Sequence, residues 1–182
     1  MLSAAGYVYI GMDHFSKADD ELAVAQRDGS LYRNFQGYST HASCDVVGMG
    51  ITAIGKIGDC YSQNVKTLEE YDEIISRGKI PVFRGYMLDT DDLLRREVIA
   101  RLICDFRLDF RQIEDMYISD FKRYFFNEMK EIKSMEREGL LTVDDEKIEV
   151  SPTGRFFIRN ICSVFDKYFN RGDNITQFSK MV

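Results

Sequence analysis

The sequence predicts an α+β protein in two parts: a glycine-rich region of short strands, then a mainly helical, winged-helix-like region. Three observations carry that expectation. Eight of the 13 glycines (6, 11, 29, 37, 48, 50, 55 and 58) fall in the first third, which requires turns and close backbone approach. From Asp89 onward glycine is scarce and apolar residues recur at helical spacing. Late in that half Leu140-Leu141-Thr142-Val143, a polar turn and Ile148-Glu149-Val150 read as a β-hairpin between two helices.

In order, residues 5–12 are aromatic and β-branched between glycines, the pattern of a buried strand. Asp13-His14-Phe15 follows at its C-terminal end, where α/β enzymes place functional groups. Orienting a loop and proton transfer both remain open for Asp13 and His14. Asp19 and Asp20 open a short helix through Leu22, Val24, Ala25 and Arg27, which Gly29 stops. Arg33-Asn34-Phe35-Gln36-Gly37-Tyr38-Ser39-Thr40 and the later Gly48-Met49-Gly50-Ile51-Thr52-Ala53-Ile54 read as two strands or loops crossing a ligand face. They do not form a dinucleotide fingerprint, because Ile51, Thr52 and Ala53 follow Gly48 and Gly50. Thr67-Leu68-Glu69-Glu70 is a capping box for a helix through Tyr71, Ile74 and Ile75 that Gly78 ends, and Pro81 to Leu88 is extended again.

In the second half, Leu94, Val98 and Leu102 with Ile99, Ile103 and Phe106 define an amphipathic helix. A shorter one spans Phe110 to Tyr117, and Phe121, Phe125, Met129 and Ile132 line a third, ending at Gly139. After the hairpin, Ser151 caps and Pro152 starts a last helix through Phe157, Ile161, Val164 and Tyr168.

Charge argues against the DNA binding that a winged helix suggests. The third helix (residues 120–138) holds five acids and five bases, and the wing (144–149) four acids and one base. A net charge of -6 also disfavours a general nucleic-acid binder. No apolar run approaches the roughly 20 residues of a membrane span, and no signal-peptide pattern opens the chain. These readings mark a soluble, cytoplasmic protein. Cys44, Cys60, Cys104 and Cys162 are scattered, so four buried reduced thiols are expected and no metal site can be assembled by spacing.

A resemblance sharpens this reading. Gly11-Met12-Asp13-His14-Phe15, Asp19-Asp20-Glu21-Leu22, Ala25-Gln26-Arg27, the run Asn34 to Thr40, Gly48-Met49-Gly50, Ile57-Gly58-Asp59 and Leu102-Ile103-Cys104 resemble the C-terminal third of the oxygen-independent coproporphyrinogen III oxidases. Arg155, Ile158-Arg159-Asn160 and Phe165-Asp166 continue the likeness, which covers essentially the whole chain. The resemblance implies that residues 1–80 are the tail of a (β/α) radical-enzyme barrel and residues 89–182 a C-terminal domain. It implies a radical enzyme of haem (porphyrin) synthesis that oxidatively decarboxylates two propionates of coproporphyrinogen III to vinyls, with S-adenosylmethionine and a 4Fe-4S cluster. By the same resemblance Ile54 matches a contact to one of two S-adenosylmethionine molecules, with Phe35 and Gln36 nearby; Ile54 alone reads equally as core, and Gln36 as a loop hydrogen bond.

The cluster motif and the earlier barrel strands of that family are missing from this sequence. The chain is therefore expected to be a fragment, inactive alone, with no cofactor bound and S-adenosylmethionine affinity weak or nil. The edge of residues 5–60 is expected to cause self-association or loss of order in that half. The rival reading is a free-standing haem-binding or protein-interaction domain derived from the family, with His14 and His41 as the available imidazoles.

Overall fold

The computed structural model describes residues 1–117 and 120–169. Strands β1 (Tyr7–Gly11) and β2 (His14–Lys17) pair antiparallel, Val8 opposite Ser16. Helix α1 (Glu21–Asp28) is capped by Asp20, which accepts the Leu22 N–H, and ends at a left-handed Gly29. Two short ribbons follow: β3 (Tyr32–Arg33) with β4 (Tyr38–Ser39), and β5 (Ile54–Ile57) with β6 (Cys60–Asn64). Helix α2 (Leu68–Ser76), capped by Thr67, leads to β7 (Val82–Met87), which adds to β6 as the sheet edge.

Helix α3 (Thr90–Asp105) opens the second half with a reciprocal cap: Asp89 accepts the Asp92 N–H at 2.8 Å and Asp92 accepts the Asp89 N–H at 3.0 Å. There follow β8 (Arg107–Asp109), α4 (Phe110–Tyr117), α5 (Phe121–Tyr124), α6 (Phe126–Arg137), β9 (Leu141–Val143), β10 (Lys147–Val150) and α7 (Ile158–Ser163). The hairpin recruits β8, giving a three-stranded antiparallel sheet in the order β8-β10-β9.

Two apolar clusters meet at α3. The larger packs Leu94, Val98 and Leu102 against Phe110, Phe121, Phe125, Ile132, Ile148, Ile161 and Phe165. Its aromatic centre has Phe110 stacked on Phe121 at 4.5 Å and Phe165 edge-on to Phe125 at 5.3 Å. The smaller joins Ile10, Ala23, Ala25 and Leu31 to Cys104. Gln26 ties these layers, donating to the carbonyls of Ile10 at 2.5 Å and Cys104 at 3.0 Å. Gly11 passes so close to Tyr38 that a β-carbon there would overlap the Tyr38 hydroxyl and displace that ring.

Several expectations change. The first strand does not lead into a loop: Met12, with φ 54°, and Asp13 turn it into β2, and His14 is the first residue of that second strand. Every strand pairing among the described residues is antiparallel, and they contain no closed barrel. The α3 helix is not simply amphipathic, because the two clusters take different sides of it. The third predicted helix breaks at the fully buried Phe125 (φ −95°, ψ 32°) into α5 and α6. The last is also broken. Ser151 Oγ accepts the Gly154 N–H at 3.0 Å, a 3-10 turn runs over Gly154–Phe157 before α7 begins, and Gly154 lies against the Leu140 carbonyl with no room for a side chain. Of the four thiols, Cys104 and Cys162 are buried, whereas Cys44 in a loop is exposed and Cys60 at a hairpin turn half-buried. The stretch 170–182 of the predicted second domain lies outside the described residues.

Where α3 ends, Asp105 is sandwiched with one carboxyl oxygen buried and unpartnered, and Arg101 3.7 Å from the other. Burial pushes its carboxyl from the usual 3.8 up to about 6 against the pull of Arg101. A raised folded-state value means the contribution is intact below about pH 4 and lost as pH rises through 6. Urea unfolding should therefore show Asp105→Asn more stable than the parent at pH 7.5, by about 1–3 kcal/mol, with the difference vanishing near pH 4. An equal difference at both pH values would refute the assignment.

Candidate functional site

The cavity where the two halves meet has a volume of about 530 Å³. Its floor is the solvent-side face of α3, carrying Arg96, Ile99, Ala100 and Ile103. One wall is the segment Tyr32–Phe35, another is Val46, Ile54, Lys56 and Tyr61, and the rim is Leu88 with Asp166–Tyr168. A cavity of this size with apolar walls and a few charges has the makings of a ligand site.

Local chemistry shapes each wall. Asn34 turns the chain by accepting the N–H groups of Gln36 at 2.8 Å and Gly37 at 3.2 Å, which sets Arg33 and Phe35 on the cavity side. Phe35, 60% exposed, lies edge-on to Tyr61 at 5.2 Å. In the second wall Asn64, nearly fully buried, donates to the carbonyls of Gly48 at 3.0 Å and Gly50 at 2.9 Å. Val46 and Lys56 exchange backbone hydrogen bonds at 2.7 and 2.8 Å. The chain approaches so closely here that a β-carbon on Gly48 or Gly55 would stand 2.9 Å from backbone atoms of Ile54 and Val46. Glycine density in this region therefore serves one packed loop.

The charges fall into two sets. Arg95 is consumed: it reaches Asp91 and Glu128 at 2.9 Å each and the Phe165 carbonyl at 3.1 Å. Lys167 sits among Asp92, Asp91 and Asp89 at 2.7, 2.9 and 3.2 Å. Burial pushes Asp91 up, but bonds from Tyr124, Lys167 and Arg95 outweigh it and hold the carboxyl at about 2. These three aspartates lie close enough to grip a cation, and the Lys167 ammonium is the cation they hold. The second set is Arg33, Arg96 and Lys56. Arg33 lies over the Tyr38 ring at 4.7 Å with its Nη1 buried and unpartnered. Arg96 also has a buried, unpartnered Nη1, while its Nη2 is 3.5 Å from Asp59. Lys56 donates to the Tyr32 hydroxyl at 3.4 Å.

Of the residues singled out from sequence, Ile54 and Phe35 both line the cavity, although 19 positions apart. Gln36 does not line it; the residue is exposed, in the turn that Asn34 holds. His14 and Asp13 lie in the first hairpin, His14 Nδ1 2.9 Å from Asp13 and its ring edge-on to Tyr38 at 5.2 Å. Arg33, Arg96, Lys56 and Asn64 escaped the sequence reading. Arg33 stands at the head of the stretch Arg33 to Thr40, but only the fold reveals that Arg96 lines the same cavity.

As for the S-adenosylmethionine and iron-sulfur cluster that the resemblance implies, the donor sets differ. Among the described residues the cysteines form no group that could hold a cluster. The cavity combines aromatic and aliphatic walls with the cationic side chains of Arg33, Arg96 and Lys56, a lining that fits a nucleoside carrying an amino-acid tail.

The relation to known proteins is direct. Residues 88–157 match the family model described as the HemN C-terminal domain. The whole chain is 46% identical to oxygen-independent coproporphyrinogen III oxidase from Escherichia coli (strain K12), 45% to that of Pseudomonas aeruginosa and 44% to that of Synechocystis sp.. It spans about 40% of the length of these curated relatives. It superposes on the solved structure of coproporphyrinogen III oxidase (HemN) from Escherichia coli, described as a radical SAM enzyme, with a TM-score of 0.87 and 49% identity. That match covers 92% of this chain and 38% of that one.

Replacing Asn64 by Ala should leave two loop carbonyls without donors, lower stability by about 2 kcal/mol and loosen the Ile54 wall. Chemical denaturation and amide exchange of residues 48–56 would check this; unchanged stability and exchange would contradict it. In sequence over its whole length, and in fold over 92% of it, the chain matches the C-terminal portion of oxygen-independent coproporphyrinogen III oxidases.

Proposed function

We propose that this chain is the C-terminal portion of an oxidase that converts two propionates of coproporphyrinogen III to vinyl groups, and that its cavity forms part of the ligand site. The observation that carries this reading is that the likeness runs the full length of the chain, through the segments 33–37 and 46–64 that build the cavity. When bound to the whole enzyme, S-adenosylmethionine would supply the radical that removes a hydrogen atom from the substrate. The residues of this chain would position and enclose. Ile54 and Phe35 give apolar contact to S-adenosylmethionine, and Gln36, in the exposed turn outside the cavity, lies near that site. The remaining sequence of the family would supply the cluster ligands, so this chain alone is inactive.

In this reading residues 1–80 close the end of a barrel whose other strands lie outside the sequence, and residues 89–182 form the C-terminal domain. The order helix, strand, three helices, hairpin, with its three-stranded sheet, supports a winged-helix-like description of that domain. Its wing turn is acidic, and we assign it a packing role rather than nucleic-acid binding. None of the described helices is long and apolar enough to cross a membrane, and a cytoplasmic enzyme fits this reading. All six residues of β7 are exposed, among them Phe83 and Met87, as are Val47 and Met49. An open edge with apolar neighbours leads us to expect self-association of the isolated chain.

The decisive experiment replaces the corresponding C-terminal portion of the Escherichia coli enzyme with this chain. The chimera should assemble its cluster and consume coproporphyrinogen III anaerobically, and Ile54→Trp, which fills the cavity, should cut turnover at least about tenfold. A folded, cluster-bearing chimera without activity would overturn the proposal.

A further inference from the structure

Five cationic side chains line the cavity, and two are already neutralised within the protein: Arg95 by Asp91 and Glu128, Lys167 by the aspartates that begin α3. The remaining guanidinium groups, Arg33 and Arg96, are under-occupied in the same way. Each keeps an Nη1 that is removed from solvent and has no acceptor. Leaving a charged donor unsatisfied is costly, and both side chains line one cavity, so a small turn of each guanidinium brings its Nη1 to an acceptor bound there. Burial opposes the charge on Arg96, but its hydrogen bond to Tyr61 and nearby Asp59 outweigh that and hold it protonated.

We infer that Arg33 and Arg96, with Lys56 beside them, form a carboxylate-binding pair. The planar fork of a guanidinium matches the two oxygens of a carboxylate. The rest of the cavity lining, Phe35, Ile54 and Ile99, suits the hydrocarbon arm on which such a group is carried. The protein's own carboxylates are engaged elsewhere: Asp59 meets Arg96 only at Nη2, and of the two that line the cavity Asp92 is held by Lys167 and Tyr168 and Asp166 accepts the Tyr168 N–H. Naming the source of the carboxylate rests on the functional reading above, which brings two candidates: a propionate of the tetrapyrrole, and the aminoacyl end of S-adenosylmethionine. Both place a carboxylate on a flexible apolar stem. Arg33 and Arg96 are thus positioning residues, holding a ligand by a group that does not react there.

The test uses the cluster-bearing chimera described above with two probes, coproporphyrin III followed by its fluorescence and S-adenosylmethionine followed by calorimetry. Arg33→Gln and Arg96→Gln should each weaken one probe at least tenfold, while Arg33→Lys and Arg96→Lys recover part of the loss. In the parent chimera, the guanidinium Nε–H signals of both arginines should move as that probe saturates, a readout that does not depend on any variant folding. Loss confined to coproporphyrin III assigns the pair to a propionate, and loss confined to S-adenosylmethionine to the aminoacyl carboxylate. Either result supports the inference. Equal affinity in parent and Gln variants, unmoved arginine signals, or no saturable binding of either probe would overturn it. An active chimera whose turnover and KM are indifferent to both Gln substitutions would discard the pair while leaving the functional reading in place.

Discussion

Both apolar clusters of this molecule are built against helix α3. Its Leu94, Val98 and Leu102 close the aromatic core of the helical half, while Cys104 closes the small cluster beneath β1 and α1. Ile103 packs against both. The face left over, with Arg96, Ile99 and Ala100, becomes the cavity floor. One helix thus buries apolar surface on two sides and exposes function on a third. Such a helix cannot be moved without cost to both halves, which is what a fixed wall of a ligand site requires.

Its two ends are fastened differently. At the start, three carboxylates gather where the helix dipole favours negative charge, and Lys167 and Arg95 neutralise them. At the end, Phe106 adopts a left-handed conformation (φ 55°) that a bulky residue normally avoids, and Asp105 is left partly buried at the unfavourable pole. Burial of the Phe106 ring, stacked on Tyr9 and covered by Arg155, offsets that strain. The stable end is the one beside the rim of the cavity.

Much of this was legible from residue order, and the reasons for the rest are physical. Local signals were reliable: Asp20 and Gly29 bound α1, Thr67 caps α2, and Phe121, Phe125, Met129 and Ile132 are all buried where helical spacing put them. What spacing misses is tertiary. The breaks at Phe125 and Gly154 answer to neighbours remote in sequence, the Phe165 ring and the Leu140 carbonyl. The β1–β2 hairpin has a Met-Asp turn, without the usual Asn-Gly signal. In the cavity, Ile54 and Phe35 came from family likeness. Arg33 and Arg96 could not come from spacing at all, since 63 positions separate them and only the shared cavity makes them a pair.

The central claim is that the first half is organised on α3 and so presents one formed cavity. Residue-resolved hydrogen exchange of the chain tests it most directly. The account predicts that the amides of α3 exchange last, and that those of β1, α1 and β5–β6 exchange as protected groups coupled to them. Free exchange throughout residues 7–64, beside a protected α3, would contradict it. The helical half would then stand alone, and the cavity would need another partner to form.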